Sequence, residues 1–431
     1  MFVWLRSKRW QTYVAISLGL GTPALVLGKT LIFASLFLPA LAVMAHASYI
    51  QKKPIFRLQK ENRWFFYLVL CTASLWLVSS IFSYDIAKSL LTWTRIILLI
   101  SFFYLLADFL RSDKALLTAC LKSLVLGYGI VLLVANFSLY VDSAIFDLYT
   151  SVFKTEFVSE ILKISPVPVL FQMLKPFYSV TACALPVLIW AGFRIGGIWR
   201  TISFASVPLI ITLLYGNGQQ PGMSASFGVV AALCAFILTL LLRRLNGISV
   251  IAVLVVVISA ASVFAAYIFT SLPVPPVSPE PMPTLPLPDW HRQVIWGFTL
   301  EVAMKYPWLG IGPNTINLIP GASAIIPGMN QQYVPSHPHN WFLEIFSETG
   351  LLGIITLLAT LFAAFAILFK QAAQNAFPAI TAITLLASFL CSSLGNFSIW
   401  SIWWLAALGV LLCLPLAALE KDTSVGCGSN R

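Results

Sequence analysis

The sequence is short of charge, and above all of acid. Only 10% of its 431 residues are charged, and the 15 Asp and Glu are outnumbered by 26 Lys and Arg. A soluble domain carries about 25% charged residues, so a soluble enzyme with a large core is excluded. Nucleotide motifs are also lacking, since neither GxxxxGK[ST] nor GxGxxG before a helix occurs. Neither a nucleotide nor any other cofactor is therefore predicted.

Cysteine and histidine are scarce as well. The seven cysteines include no CxxC pair, so neither a disulfide framework nor a zinc knuckle is predicted. The four histidines form no HxxxH motif. Any chemistry that depends on histidine must therefore use one of very few side chains.

Apolar residues make up 59% of the chain and recur in long runs. Runs of about 20 residues are long enough to cross a hydrocarbon layer roughly 30 Å thick. We therefore predict an all-α polytopic membrane protein with about twelve transmembrane helices. The predicted spans are 11–28, 30–50, 64–83, 90–109, 115–137, 169–193, 200–216, 224–242, 248–270, 350–369, 377–395 and 399–419.

The basic residues lie mainly in short clusters between alternate spans. This is the pattern of cytoplasmic loops, and it predicts that both termini are cytoplasmic. The same pattern accounts for the formal net charge of +11 without a nucleic-acid partner, and none is predicted. The partners that we expect around the chain are membrane lipids.

The chain divides into three parts. Residues 1–270 hold transmembrane helices 1–9 and, within 138–168, an amphipathic helix predicted to lie on the outer bilayer surface. Residues 271–349 form a large outer loop between helices 9 and 10, with a proline-rich start and a helix predicted to begin at an Asp289 N-cap. Residues 350–431 hold helices 10–12 and a cytoplasmic tail.

Ionisable chemistry collects in SHPHNWFLEIFSETGLLG, just before the tenth span. Pro338 suits the first turn of a helix, so the helix is predicted to begin there, with free backbone N–H groups facing a phosphate or pyrophosphate. His337 and His339 lie beside that end, where a neutral imidazole can accept a proton from a hydroxyl. Glu344 and Glu348 share one helix face and are predicted to orient a histidine or bind a sugar hydroxyl.

Two alternatives remain open for the histidine pair. The first is a purely structural role. The second is a metal site in which His291 supplies a third nitrogen, although no acidic triad or helix-borne pair supports it.

Two arginines stand out on the outer side, where basic residues are few. Arg292 lies in the predicted helix after Asp289, where its guanidinium can grip a diphosphate with two parallel hydrogen bonds. Arg95 lies a turn or two inside the fourth span, and charges at such positions are usually functional or paired. A solvated or lipid-headgroup contact is the alternative for Arg292, and snorkelling to the outer surface is the alternative for Arg95.

Three segments give the chain a family resemblance. HPHNWFLEIFSETGLLG resembles the signature of the O-antigen ligase and polymerase superfamily, in which a histidine–asparagine pair is followed by E-x-G-x-x-G. RQVIWGFTLEVAMKYPWLGIGPNT resembles that superfamily's arginine-led helix ending in P-x-x-G-x-G, and LGNFSIWSIWWL is similar to ligase-type members. Together these segments cover about a quarter of the chain.

The resemblance implies a metal-independent inverting glycosyltransferase in the inner membrane of a Gram-negative cell, with its active site on the periplasmic side. Such ligases move a glycan from undecaprenyl diphosphate to a sugar hydroxyl of lipid A–core. By position, His339 matches the histidine of the signature, and His337 is its companion. Arg292 matches the diphosphate-binding arginine, while Asn340 joins the two glutamates as a substrate-binding or orienting residue.

In one place the chain departs from the family. Ligases usually show a second arginine near the outer end of an earlier span, but the corresponding QMLKPFYSVTACALP contains Lys175 instead. Lysine offers a point charge without the bidentate fork of arginine. The resemblance therefore leaves three alternatives: Lys175 replaces that arginine, Arg95 replaces it, or the donor is held differently.

Other functions are compatible with parts of this pattern. A polymerase or a protein-glycosylating ligase of the same superfamily shares the donor site and differs in the acceptor. A lipid-linked glycan transporter is the alternative from another class, but transporters place polar residues at mid-membrane. Here they gather at one face, so the prediction is a single reaction site that joins Arg292 and His339 beside the tenth span.

Overall fold

The computed structural model describes residues 9–51, 63–153, 169–216, 223–275, 277 and 289–419. Within these residues the chain is built from helices and connecting turns. The α-helices are α1 Arg9–Gly21, α2 Lys29–Ala45, α3 Arg63–Ile81, α4 Ile86–Ser112, α5 Lys114–Tyr140, α6 Ala144–Phe153, α7 Val169–Ile195, α8 Gly197–Tyr215, α9 Met223–Leu242, α10 Gly247–Thr270, α11 Trp290–Lys305, α12 Trp341–Ala373, α13 Phe377–Ser392 and α14 Ile402–Ala418.

Among the described residues, nine helices are long and apolar enough to cross a membrane: α2–α5, α7–α10 and α12. Two shorter apolar helices, α13 and α14, follow them. The first predicted span, 11–28, is α1 followed by a short 3-10 turn at Pro23–Leu27. The helical membrane fold is thus confirmed, while the count of twelve spans and the large outer loop stay predictions.

Helices suit this environment because a lipid-exposed backbone must satisfy its own hydrogen bonds. The sequence also marks where they begin. Asp85 accepts a hydrogen bond from the backbone N–H of Lys88 at the start of α4, and Asp113 accepts one from that of Ala115 at the start of α5. Apolar residues on α10, such as Val256, point outward, as expected for a lipid-facing helix.

The main core lies between α1, α2, α4, α5, α7 and α14. Large side chains fill it, among them Trp10, Leu36, Tyr128 and Trp404, each at most 1% exposed. Helices of a membrane protein associate through close packing of this kind. The core holds α7 and α14 against each other, and the site described below lies at one end of those two helices.

A second, smaller core lies outside this bundle, around α11. Val294 and Ile295 of that helix pack against Ile316, Ile326 and Val334 of the segment that follows. Asp289 caps α11 by accepting a hydrogen bond from the backbone N–H of Arg292 at 3.0 Å, as predicted. The segment between α11 and α12 is therefore folded around its own apolar contacts.

Parts of two predictions lie outside the described residues. Of the amphipathic helix placed within 138–168, the structure describes α6, in which Phe146 is buried and Ile145 and Leu148 are exposed. Residues 154–168 are not among those described. Most of the proline-rich stretch, 278–288, is outside them as well.

Candidate active site

The loop after α11 is fastened into a kink of α12. At Gly350 the helix backbone leaves the helical region, so nearby groups lose their partners along the helix. The carbonyl of Ser347 instead accepts the N–H of Ile311 at 3.1 Å, and Leu351 N–H donates to Pro307 O at 2.7 Å. The loop thus takes the place of the missing helical hydrogen bonds, and the two parts are joined backbone to backbone.

Two glycines make this junction possible. Gly310 and Gly350 both have φ of 67°, in the left-handed region that favours glycine. A Cβ on Gly310 would lie 2.4 Å from the carbonyl carbon of Glu348, and one on Gly350 would lie 2.2 Å from Trp308 O. The P-x-x-G-x-G and E-x-G-x-x-G segments therefore pack against each other, and each glycine lets the backbone of the other segment come close.

Glu348 anchors the same loop through its side chain. Oε1 accepts the backbone N–H groups of Thr315 and Ile316, each at 2.9 Å, and Oε2 accepts that of Asn314 at 2.6 Å. The indole of Trp400 also donates to Oε2. The carboxylate is fully buried, and its two oxygens are occupied by four protein donors.

Glu344, one turn earlier, holds a different loop. Its carboxylate accepts the hydroxyl of Ser398 at 2.5 Å and the backbone N–H of Ile399 at 2.9 Å. It is buried like Glu348. The two acids therefore fix the loops before α12 and before α14 to the face of α12.

The start of α12 differs from the prediction. The helix begins at Trp341, after Pro338, because Asn340 is the N-cap: its side-chain oxygen accepts the N–H groups of Phe342 at 3.1 Å and Leu343 at 3.2 Å. The N–H of Trp341 donates to Ser393 O at 3.1 Å. The expectation that free N–H groups of this helix face a phosphate is therefore wrong, since protein acceptors use them.

The two histidine rings lie against each other at a tilt of 52° and share one carbonyl. Their ring centroids are 4.0 Å apart. His339 Nδ1 lies 2.7 Å from Asn396 O, and His337 Nε2 lies 3.2 Å from the same oxygen. The side-chain amide of Asn396 donates to the hydroxyl of Ser179 on α7, which fixes the carbonyl in place. The backbone of His339 is left-handed, with φ of 57°, a strained conformation that is common at functional sites.

This arrangement assigns the ring protons. A carbonyl only accepts, so Nδ1 of His339 carries a hydrogen and Nε2 is the free acceptor. Within the described residues Nε2 of His339 has no hydrogen-bond partner. His337, in contrast, uses Nε2 on Asn396 and Nδ1 on the hydroxyl of Ser336, 2.8 Å away. Of the two rings, His339 is the one that can accept a substrate proton.

The site keeps both imidazoles neutral. Burial, first of all, lowers the pKa of His339 to about 3, with further lowering from His337, Arg292 and Lys175 and a partial offset from the Asn396 carbonyl. Burial likewise lowers the pKa of His337 to about 4, with smaller effects of Lys175 and Lys29. At neutral pH both rings are therefore proton acceptors and carry no charge.

Three cations influence the charge of the histidine pair: Arg292, Lys175 and Lys29. Arg292 lies close enough to act electrostatically on His339 and on Lys175, and it forms a 2.7 Å salt bridge with Asp289 while remaining 29% exposed. Lys175 lies near the start of α7, four residues before Ser179. Arg292 and Lys175 are thus both near enough to His339 to influence its charge, and their shared reaction site stays a prediction.

Sequence analysis did not single out Lys29, which belongs with these cations, and it singled out Arg95, which does not. Lys29, the first residue of α2, acts electrostatically on His337 and Lys175. It could have been noticed by the criterion that singled out Arg292, a lone basic residue on the side predicted to be outer. Arg95 lies exposed on α4, nine residues after Ile86, and is not among the charges that act on the histidines.

The metal alternative finds no ligand set in the described part of the chain. No three His, Cys, Asp or Glu side chains come together there in a way that could hold an ion. His291, the proposed third nitrogen, places Nε2 3.1 Å from Gln332 O instead. Among the described residues, the histidine pair therefore bonds the carbonyl of Asn396, and no third side chain completes a metal site with it.

A comparison with known families bears on this site. Residues 204–358 match the model of a family described as O-antigen ligase. This segment is similar to that O-antigen ligase family over its whole length. It contains Arg292, both histidines and both buried glutamates, whereas Lys29, Lys175 and Asn396 lie outside it. The resemblance recognised in the sequence is thereby confirmed.

A curated relative points the same way over a limited length. A protein of Rickettsia conorii provisionally named a polysaccharide ligase is 28% identical over 138 residues. The match covers 31% of this chain and 33% of that protein, so the chain spans about a third of the relative's length. The likeness therefore concerns only part of each protein, and the activity of the whole chain is a separate question.

Proposed function

We propose that this protein is a metal-independent inverting glycosyltransferase that moves an O-antigen, or a related glycan, from undecaprenyl diphosphate to a sugar hydroxyl of lipid A–core. The site then lies on the periplasmic face of a Gram-negative inner membrane, with both termini cytoplasmic. One observation carries the proposal: a neutral imidazole with a free nitrogen lies among cations, near the end of the segment that matches the O-antigen ligase family.

In the proposed reaction, Nε2 of His339 removes the proton of the acceptor hydroxyl as its oxygen attacks the anomeric carbon. The bond between that carbon and the diphosphate oxygen breaks on the opposite face, and the electron pair leaves with the lipid diphosphate. Arg292 and Lys175 stabilise the charge that develops there. A single displacement of this kind inverts the anomeric centre. Asn340, Glu344 and Glu348 orient the site through the loops that they hold.

The low basicity of the free histidine suits this sequence of events. Part of the lowering of the His339 pKa comes from Arg292 and Lys175. A bound diphosphate offsets those positive charges, so the histidine becomes a stronger base once the donor is present. The base is thus activated by the substrate that it serves.

The pH dependence follows from this ordering. For the free enzyme, with a His339 pKa of about 3, kcat/KM should be level from pH 8 down to about pH 5, because the base is already unprotonated. The acid limb of kcat should lie at higher pH than that of kcat/KM, because the bound diphosphate raises the pKa. Initial rates between pH 4.5 and 8.5 test whether kcat/KM is level there while kcat already falls toward acid pH. A kcat/KM limb centred near 6.5 would contradict the buried, cation-flanked histidine.

Replacing Arg292 tests the donor site. Arg292→Ala is expected to lower kcat/KM by about 10²–10³-fold, as when one charge-stabilising group is lost. Arg292→Lys keeps the charge without the bidentate guanidinium, so its kcat/KM should lie between those of Arg292→Ala and wild type. Asp289→Asn is the matched control, because asparagine still caps α11 and only the salt bridge is lost.

The same variants can be tested in cells. Deleting the gene should remove the lipopolysaccharide ladder, and complementation by Arg292→Ala should not restore it. A ladder that persists after deletion would exclude ligation to lipid A–core and would leave polymerisation or protein glycosylation, which use the same donor. Full complementation by Arg292→Ala would remove its assignment.

A further inference from the structure

Lys29 is held over aromatic rings at the same end of the bundle as the histidines. Its Nζ lies 5.0 Å from the ring centroid of Trp403 and 6.0 Å from that of Phe397. Such contacts draw an ammonium group toward the ring faces and restrict where it can lie. The lysine is therefore positioned by α14 and by the loop before it.

That loop is the one that orders the histidines. Phe397 directly follows Asn396, whose carbonyl lies against both imidazoles. The amide of Asn396 bonds Ser179, one turn of helix from Lys175. A short path of contacts thus connects Lys29 with the proposed base and with a proposed diphosphate-binding cation.

The reaction creates a need for one more positive charge. A glycan-linked lipid diphosphate is a diester with two negative charges, and the released lipid diphosphate gains a third on the oxygen that leaves carbon. Arg292 and Lys175 supply two cations, and Asp289 already bonds the first of them. A third cation at this position would stabilise charge that appears only as the bond breaks, which is where added binding accelerates a reaction.

We propose that Lys29 is a third cationic contact of the donor's diphosphate and stabilises it as it leaves. This inference rests on the proposed function. It assigns a role in the reaction to a residue of the second helix, which lies outside the segment that matches the O-antigen ligase family.

Binding of farnesyl diphosphate, a short lipid diphosphate, to the purified full-length protein tests the inference. Lys29→Met should weaken that binding by about 10- to 100-fold, as expected when a charge-assisted hydrogen bond is lost. Lys29→Met should weaken the binding of inorganic pyrophosphate to a similar degree and leave the binding of uncharged farnesol unchanged. Lys29→Arg should stay within about threefold of wild type, because the charge is kept.

The matched control is Lys305→Met. Lys305 also lies over an aromatic ring, 5.8 Å from the centroid of Tyr306, but it is at the exposed end of α11. It should bind farnesyl diphosphate like wild type. Thermal unfolding of each variant separates lost binding from lost structure.

Each result decides the matter. Unchanged farnesyl diphosphate binding by Lys29→Met, or an equal loss of farnesol binding, would overturn the role of Lys29. If Arg292→Ala still weakens farnesyl diphosphate binding in that case, the proposed function stands without a role for Lys29. If wild type binds no farnesyl diphosphate and Arg292→Ala changes nothing, both proposals fall together.

Discussion

Replacing His339 by alanine is expected to slow glycan transfer by about 10²–10⁴-fold, the usual contribution of a general base. Its Nε2 is the ring nitrogen left free to accept a proton, because Nδ1 donates to the carbonyl of Asn396. His337→Ala should cost less, about tenfold, because both ring nitrogens of His337 already bond Asn396 and Ser336. Rates measured with saturating donor and acceptor separate the two. Equal losses would contradict the assignment of the base.

Replacing His339 by glycine tests the assignment of the base more directly. The left-handed backbone of His339 suits glycine, which offsets part of the cost of removing the ring, and His339→Gly leaves a space the size of that ring. Added imidazole should then restore part of the activity of His339→Gly. His291→Ala is the control, since that ring bonds Gln332 O away from the pair. A lack of rescue together with a wild-type rate in His339→Ala would exclude a role for this imidazole.

Replacing Glu348 by alanine is expected to lower the free energy of unfolding by about 4 kcal/mol, since each buried N–H group left without an acceptor costs roughly 1–3 kcal/mol. Three backbone N–H groups and the indole of Trp400 would lose their acceptor. The part of the loop from Asn314 to Ile316 would then lose its side-chain anchor on α12, while the backbone junction at Gly350 remains. Transfer activity should fall with it, because that loop belongs to the same folded unit as Arg292.

Denaturant unfolding in detergent, followed by tryptophan fluorescence, measures this loss. Glu301→Ala is the matched control, because Glu301 is an exposed glutamate on α11 and should change stability by less than about 0.5 kcal/mol. Glu348→Gln should lie between, since one oxygen remains while an N–H₂ group replaces the other. An unfolding curve for Glu348→Ala that overlays wild type would show that the loop is held by other contacts.

Much of the helical framework could be predicted from sequence because hydropathy and capping are local signals. Long apolar runs and the Asp289 cap each depend on neighbouring residues, and both are present in the structure. The start of α12 was placed too early because two local signals competed. Pro338 suits a first turn, but Asn340 caps the helix and His339 adopts a backbone that a helix cannot contain.

The long-range partners could not be predicted. Glu348 looks like part of a polar helix face, yet its donors come from a loop well before α12 and from Trp400 well after it. The same holds for Asn396, whose carbonyl orders both histidines although nothing near it in sequence is ionisable. Lys29 is separated from Trp403 by most of the chain. Such contacts depend on which loops meet, and that is decided by the packing of the whole bundle.

The most direct test is an electron cryomicroscopy structure of the protein with a lipid diphosphate donor analogue. The diphosphate should lie within hydrogen-bond distance of Arg292 and Lys175, with the sugar facing Nε2 of His339. A contrasting place is a cavity of about 200 Å³ lined in part by Phe103 and Arg111, near the end of α4 and roughly 30 Å along that helix from its start at Ile86. Density for the diphosphate in that cavity, with the Arg292 site empty, would contradict a shared reaction centre at the mouth of α12.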